Sequence, residues 1–122
     1  MTTGVAMLNF GEPSEPDRER VLDYLERIFF ANADLEEADS EEAARERART
    51  LAKRRLPGLM EEYEDIGGSP LNPQAKAQVE LTEEVLRERG YDVNTYFGTQ
   101  YTDPFIGDAA EQAMDDEVDH LI

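Results

Sequence analysis

A short apolar segment near the start of the chain constrains the fold more than any other stretch. Residues 4–10 read GVAMLNF and are followed at once by Gly11 and Pro13. A continuous apolar run of this length, closed by turn residues, is typical of a strand covered on both faces, as the strands of parallel sheets are. Segments of strand character at residues 91–98 and 117–122 predict a second and a third strand.

Helical patterns fill the intervals between these strands. Alternation of strands and helices predicts an α/β fold with a parallel sheet and right-handed connections. No linker or repeat divides the sequence, so residues 1–122 are predicted to form a single domain. The third strand reaches the last residue without a turn. We therefore expect a sheet truncated to about three strands, in a fragment of a larger protein.

Capping residues and helix breakers set the expected ends of the helices. The first helix is expected to open at Pro16 and Asp17 and to run to about Phe30, and the second to cover 41–55 with Asp39 or Ser40 as its cap. Pro57 is expected to break the chain before a third helix over 58–66, which Gly67 and Gly68 stop. A fourth helix is expected over 73–89 with Gly90 as its stop, and Asp103, with Pro104 in the first turn, is expected to open the last helix. Small polar side chains accept from the first free amides of a helix, and glycine ends helices in a left-handed conformation.

The charge of the chain excludes several classes of partner. It carries 29 acidic against 12 basic residues, a formal charge of −17. Such a surface repels nucleic-acid phosphates and anionic membranes, so we expect no nucleic acid and at most a peripheral membrane contact. Ten of the cations are arginines and two are lysines. This bias favours adaptation to molar salt over an ordinary acidic protein.

The composition also limits the chemistry and the location. There is no cysteine, which excludes a disulfide, a thiolate metal site and a cysteine nucleophile. The N-terminal residues do not resemble a signal peptide, and no stretch approaches the ~20 apolar residues of a membrane span. We therefore expect a cytoplasmic protein.

Four stretches carry residues that suit a binding site. They are LNFGEP (8–13), AKRRLP (52–57), IGGSPLNPQ (66–74) and YFGTQYTDPF (96–105). The first and last lie at the ends of predicted strands, where open α/β sheets bind their ligands. Together they could line a flat apolar pocket, or they could be an ordinary turn and ordinary core packing. The second could bind carboxylates or only complement a helix dipole. The third could bind an anion through its amides or be a simple turn.

In this order the four stretches resemble the ferrochelatases, the enzymes that insert ferrous iron into a porphyrin during haem synthesis. GVAMLNFGEP is similar to a family pattern close to LLNLGGP, and AKRRLPGLMEEYEDIGGSPLN to KRR-x-P followed by Y-x-x-IGGGSP. YFGTQYTDPFI is similar to Y-x-G-x-R-Y-x-x-P. The resemblance covers nearly all of the chain. It implies the N-terminal third of a chelatase-type α/β fold, a parallel sheet with flanking helices.

The resemblance implies one aromatic wall of a porphyrin cleft. Phe10 would lie against the porphyrin face, and Tyr101 would line the pocket wall. Gln100 would lie at the same wall, in a position where the family usually has arginine. Porphyrin (protoporphyrin IX or coproporphyrin III) and ferrous iron are the implied partners. Because the iron is a substrate, no cofactor is implied.

The resemblance also implies a carboxylate-binding edge. Arg54 and Arg55 would lie near the porphyrin propionates, with Arg55 the better candidate for a direct contact. Ser69 would lie by the porphyrin edge or its propionate, although the preceding turn has two glycines where the family has three. Residues 30–55 would form a lip over the pocket, here acidic instead of apolar.

No catalytic residue and no metal ligand is implied within this chain. Metallation needs a positioned base that takes the pyrrole protons, typically a histidine with a carboxylate partner. The family's catalytic histidine and glutamate belong to its C-terminal half, and His120 does not match their motif. The acidic clusters, such as 36–37 and 41–42, fit solvated surfaces better than metal sites.

The expected role is therefore the N-terminal wall of a ferrochelatase cleft, with the C-terminal half as a partner. We expect these 122 residues alone to be inactive in iron insertion. Two other roles stay open. One is a non-catalytic porphyrin- or haem-binding module from a split or truncated ferrochelatase, and the other is a structural role in which the acidic surface docks a partner.

Overall fold

The structure is a computed structural model that describes residues 1–13, 17–33 and 39–122. Its elements, in chain order, are β1 (Thr3–Asn9), α1 (Arg18–Ala31), α2 (Glu41–Asp65), α3 (Leu71–Glu88), β2 (Val93–Thr99), α4 (Ile106–Asp115) and β3 (His120–Leu121). They form two compact units. The helical unit comprises Glu12–Ser69, and the sheet unit comprises Met1–Gly11 and Pro70–Ile122.

The sheet unit contains one parallel sheet with strand order β2-β1-β3. β1 pairs with β2 along its whole length, from Thr3 opposite Val93 to Asn9 opposite Thr99. β3 pairs with β1 from Thr3 opposite His120, and the ladder extends to Ile122, whose amide donates to the Gly4 carbonyl oxygen at 2.9 Å. This parallel α/β arrangement with flanking helices confirms the predicted fold class.

Helices cover both faces of β2, because successive strand residues point to opposite sides. On one face, α4 packs its small residues Ala109 and Ala113 against Tyr96. Gly98 permits this close approach, since a Cβ there would lie 3.0 Å from the Ile106 Cα. On the other face, α3 contacts Thr95 through side-chain hydrogen bonds described below.

The helical unit is an antiparallel pair formed by α1 and α2. Its core comprises Val21 and Leu25 from α1 and Ala52 and Leu56 from α2, all buried. Asp17 and Ser40 cap the two helices, accepting from the amides of residues 20 and 43 at 3.0 and 3.1 Å. The predicted cap at Ser40 is confirmed, whereas Pro16, the predicted opening of α1, lies outside the described residues.

The prediction of a helix break at Pro57 is wrong, because α2 continues through it to Asp65. A proline inside a helix removes the hydrogen bond to the carbonyl four residues earlier and crowds that carbonyl. Here Pro57 and Lys53, the residue whose carbonyl loses its partner, are both exposed. The residues on both sides, Leu56 before it and Leu59 and Met60 after it, pack in the same core with α1.

The glycine stops are confirmed. The amides of Gly67 and Gly68 donate to the Glu64 and Tyr63 carbonyl oxygens at 3.2 and 2.8 Å, and both glycines have positive φ. This is a Schellman motif at the end of α2. Gly90 and Tyr91 make the equivalent pair of hydrogen bonds at the end of α3.

Two predicted helix starts are wrong. α3 begins at Leu71 and not at residue 73, because a proline at 73 is tolerated in a first turn, whose amides have no acceptor within the helix. α4 begins at Ile106 with Phe105 as its N-cap, so Asp103 and Pro104 do not open it. The Pro104 carbonyl oxygen instead accepts from the Thr99 amide at 2.7 Å, which pairs the residues before α4 with the end of β2 in an isolated bridge between Thr99 and Phe105.

Candidate functional site

The carboxyl ends of β1 and β2 bring two of the four stretches together. Beyond the strands, the Gln100 amide donates to the Asn9 carbonyl oxygen at 3.0 Å, and the Tyr101 amide donates to the Phe10 carbonyl oxygen at 3.2 Å. Phe10, Gln100 and Tyr101 are thus neighbours at one edge of the parallel sheet. This is the edge at which α/β sheets bind ligands.

An aromatic pair marks this edge. The rings of Phe10 and Tyr101 meet edge to face, with centroids 4.7 Å apart and planes inclined by 67°. Tyr101 is 6% exposed and Phe10 is 48% exposed. Tyr101 therefore supports the Phe10 ring from behind, and Phe10 offers an apolar surface to solvent. Gln100 is exposed beside them.

A buried threonine pair fixes the backbone under this aromatic pair. The Thr99 hydroxyl donates to the Thr102 carbonyl oxygen and lies 3.0 Å from the Thr102 hydroxyl. Gly11 packs against both, since a Cβ on it would lie 2.6 Å from the Thr102 Oγ1. Sequence reasoning missed these threonines. Their only signal is the T-x-x-T spacing within YFGTQYTDPF.

Arg54, Arg55 and Ser69 belong to the helical unit. Arg54 is exposed on α2, and Ser69 follows the glycine stop and is half-buried. The Arg55 guanidinium donates to both carboxylate oxygens of Glu62, at 2.9 and 3.1 Å. Sequence reasoning did not foresee this contact. The Gly67 and Gly68 amides, considered above for anion binding, are already bonded in the Schellman motif.

Tyr63 lies at the end of α2 in the segment YEDIGG. Its ring packs against the α1–α2 core, and its pKa is raised by burial, with Glu12 and Glu62 adding to the effect. The hydroxyl therefore stays protonated at neutral and mildly alkaline pH. It can serve as a hydrogen-bond donor in the same unit as Arg55.

A groove of about 500 Å³ lies between α1 and α2 and is lined in part by the segment predicted as a lip. Its walls carry charges of both signs, including Glu26 and Arg49, whose carboxylate and guanidinium are 3.3 Å apart. Phe30 lies in the same wall, with the Arg45 guanidinium 4.3 Å from its ring centre. Residues 34–38 of the predicted lip, with the acidic pair 36–37, lie outside the described residues.

Residues that could serve as base or metal ligands are scattered. His120 is exposed on β3. Within residues 1–13, 17–33 and 39–122, no three or more histidines and carboxylates group as metal ligands. Across the same ranges, no helix is both long and apolar enough to cross a membrane.

The fold places this chain among α/β proteins with a parallel sheet, and its aromatic pair lies at the carboxyl ends of the strands, the edge where such sheets commonly bind ligands. The sequence profile of the ferrochelatase family matches residues 2–122. The chain therefore belongs to the ferrochelatase family, which confirms the resemblance.

Relatives of known name support this assignment. The chain is 32% identical over 124 residues to "Ferrochelatase, mitochondrial" of Dictyostelium discoideum, covering 98% of this chain and 28% of that protein. It is 31% identical to "Coproporphyrin III ferrochelatase" of Mycobacterium sp. strain KMS, covering 92% of this chain and 27% of that protein. It is 32% identical to "Ferrochelatase, mitochondrial" of Gallus gallus, covering 98% of this chain and 29% of that protein. The chain spans less than a third of the length of these relatives.

Proposed function

We propose that this chain forms one wall of the porphyrin cleft of a ferrochelatase, the N-terminal wall, and so takes part in inserting ferrous iron into a porphyrin. The observation that carries the proposal is the Phe10–Tyr101 pair at the sheet edge of a chain from this family. A porphyrin is a wide apolar ring, and an exposed aromatic side chain on a rigid support suits its face. Phe10 would contact the porphyrin face, and Tyr101 would support the Phe10 ring. The side-chain amide of Gln100 would offer the porphyrin a hydrogen bond at the same wall.

The porphyrin also carries carboxylates, which require cations. In the proposed complex Arg55 binds a propionate through its planar guanidinium, and Arg54 adds a second positive charge on the same helix. Ser69 donates a hydroxyl hydrogen bond to a propionate. Guanidinium and hydroxyl donors together distinguish a porphyrin acid from an uncharged macrocycle. These assignments rest on the family and on the chemistry of the side chains.

Iron insertion replaces two pyrrole protons by one ferrous ion. The chain's own contribution would be to bind and orient the ring, so that its nitrogens face a base and a metal ion supplied by the rest of a ferrochelatase fold. We accordingly expect the 122-residue chain to bind porphyrin and not to metallate it alone. A relative named for coproporphyrin III makes that porphyrin a candidate substrate beside protoporphyrin IX.

The test is a titration of the purified chain with protoporphyrin IX and with coproporphyrin III, followed by the porphyrin absorbance band in buffered molar salt. We expect Phe10→Ala to weaken binding. Half of a phenylalanine side chain, about 100 Å² at ~25 cal/mol per Å², is worth about 2.5 kcal/mol, which corresponds to roughly 70-fold in Kd. Leu8→Ala is the matched control, because Leu8 is an exposed apolar residue of β1 (55%), two positions before Phe10.

Three outcomes separate the alternatives. Absence of binding by the unaltered chain would refute the proposed cleft and favour a purely structural role. Equal losses for Phe10→Ala and Leu8→Ala would refute the assignment of Phe10. Anaerobic addition of ferrous iron then tests turnover. Iron insertion above the uncatalysed rate would contradict our expectation of inactivity, whereas binding without turnover also fits a non-catalytic porphyrin-binding module.

A further inference from the structure

One ion pair lies within the proposed carboxylate-binding edge and uses the cation assigned to the substrate. Arg55 and Glu62 are seven residues apart on α2, which places them on the same helix face two turns apart. The Arg55 Nη2 lies 2.9 and 3.1 Å from the two carboxylate oxygens of Glu62. A propionate would need the same donor.

Gly58 makes this contact possible. It lies between the two residues, three positions after Arg55, on the path that the Arg55 side chain follows along the helix. A Cβ at position 58 would lie 2.7 Å from the Arg55 Nη1. Any larger residue would push the guanidinium aside. The absent side chain at 58 therefore allows Arg55 to lie along α2 and reach Glu62.

The pair is open to exchange with solutes. The side chain of Arg55 is 43% exposed and that of Glu62 is 63% exposed. Water screens such a pair, and exposed ion pairs are worth little net free energy. The carboxylate of a ligand presents the same oxygens to the same nitrogens. It can replace Glu62 without leaving any buried charge unpaired.

We propose that Glu62 acts as an internal carboxylate that occupies Arg55 until a substrate carboxylate displaces it. The identity of that substrate as a porphyrin rests on the proposed function. Glu62 is a positioning residue, since it acts through Arg55. It orients the guanidinium, competes for it, and after exchange leaves a negative charge close to the bound carboxylate. Competition and repulsion both weaken binding of porphyrin acids and leave binding of porphyrin esters unaffected.

The test compares Glu62→Gln with the unaltered chain, using protoporphyrin IX and its dimethyl ester. Glu62→Gln should tighten binding of the free acid by about 2- to 5-fold, the range of an exposed ion pair. Binding of the ester should not change. In the Arg55→Gln background, Glu62→Gln should tighten binding of the acid by a smaller factor than in the unaltered chain, because the competition for Arg55 is gone and only the repulsion remains. Glu61→Gln removes the same charge one residue away, and it controls for net charge.

A second measurement is independent of the porphyrin. The Arg55 side-chain N–H resonance, assigned by its loss in Arg55→Gln, is followed during titration with sodium acetate at constant ionic strength. In Glu62→Gln it should reach half of its shift at a lower acetate concentration than in the unaltered chain. This result, without porphyrin binding, would support the exchange and reject the proposed function.

The proposal is overturned by either of two results. One is an equal acetate response in the unaltered chain and in Glu62→Gln. The other is porphyrin binding that Glu62→Gln leaves unchanged or weakens. Weaker binding would mean that Glu62 assists Arg55 by holding it in place and does not compete with the substrate.

Discussion

Replacing Glu83 by alanine should loosen the outer edge of the sheet. β2 is an edge strand in the order β2-β1-β3, so alternate amides along it face away from β1. These amides need an acceptor outside the sheet, and for the Thr95 amide that acceptor is Glu83 of α3. Its carboxylate accepts from the Thr95 amide at 2.9 Å and from the Thr95 hydroxyl at 2.5 Å. It also pairs with Arg87 at 2.8 Å.

The expected loss follows from these three contacts. Hydrogen bonds to a charged acceptor contribute about 1.5–3 kcal/mol when buried, but the Glu83 side chain is 26% exposed and water can reach the edge after its removal. The ion pair, four residues apart on one helix, adds about 0.3–0.5 kcal/mol. Alanine offsets a few tenths of a kcal/mol of this loss, because its helix propensity is higher than that of glutamate. We expect Glu83→Ala to lower the free energy of unfolding by about 2 kcal/mol.

The assay is urea unfolding followed by circular dichroism. Urea is preferred to guanidinium chloride, because the latter is a salt and would screen the charges of a chain at −17. Glu84→Ala is the matched control, since Glu84 is an exposed neighbour on the same helix. A loss below 0.5 kcal/mol for Glu83→Ala, or a loss equal to that of Glu84→Ala, would refute the reasoning.

The same contact predicts a pH dependence. The hydrogen bond from the Thr95 hydroxyl is the largest of the effects that hold the pKa of Glu83 below its usual value. A lowered pKa means that the folded chain binds this proton less tightly than the unfolded chain does. The stability from Glu83 is therefore present above the unfolded pKa, about 4.3, and is lost as the pH falls through the folded value. The stability difference between the unaltered chain and Glu83→Gln should shrink over that acidic range.

One further substitution in each unit tests its packing, and a third serves as a control. Leu56→Ala should lower the free energy of unfolding by about 2–5 kcal/mol in the same urea assay, because Leu56 is buried between α1 and α2; a loss under 1 kcal/mol would contradict this core. Gly11→Ala should cost at least about 2 kcal/mol, since its φ is +85° and a Cβ would lie 2.7 Å from the Thr99 Cβ. Gly90→Ala, with φ +89° and no atom near its Cβ position, isolates the cost of the backbone and should cost about 1–2 kcal/mol.

Local chemistry explains which elements could be predicted from the sequence. The cap at Ser40 and the stops at Gly67 and Gly90 depend on hydrogen bonds within a few residues, and the structure contains them. The helix start at Asp103 failed because a competing hydrogen bond of similar range has no sequence signature. The Pro104 carbonyl oxygen accepts from the Thr99 amide and pairs this stretch with the end of β2, and the sequence carries no sign of that pairing.

The candidate site divides in the same way. The neighbourhood of Phe10 and Tyr101 follows from a rule of parallel sheets, since the carboxyl ends of adjacent strands meet at one edge. The edge-to-face contact and the supporting threonines Thr99 and Thr102 depend on side-chain packing. No spacing of residues in the sequence specifies this side-chain packing.

The Arg55–Glu62 pair could not be predicted because Pro57 lies between the two residues. A break there would put them on different helices, and the seven-residue spacing would then carry no meaning. A proline inside a helix costs about 3 kcal/mol. Burying Leu56 stabilises by about 1.5–3 kcal/mol, and Leu59 and Met60 add to this on the far side of the proline. Packing against α1 thus outweighs the cost of Pro57, and the continuity of α2 brings the Glu62 carboxylate to the guanidinium assigned to the substrate.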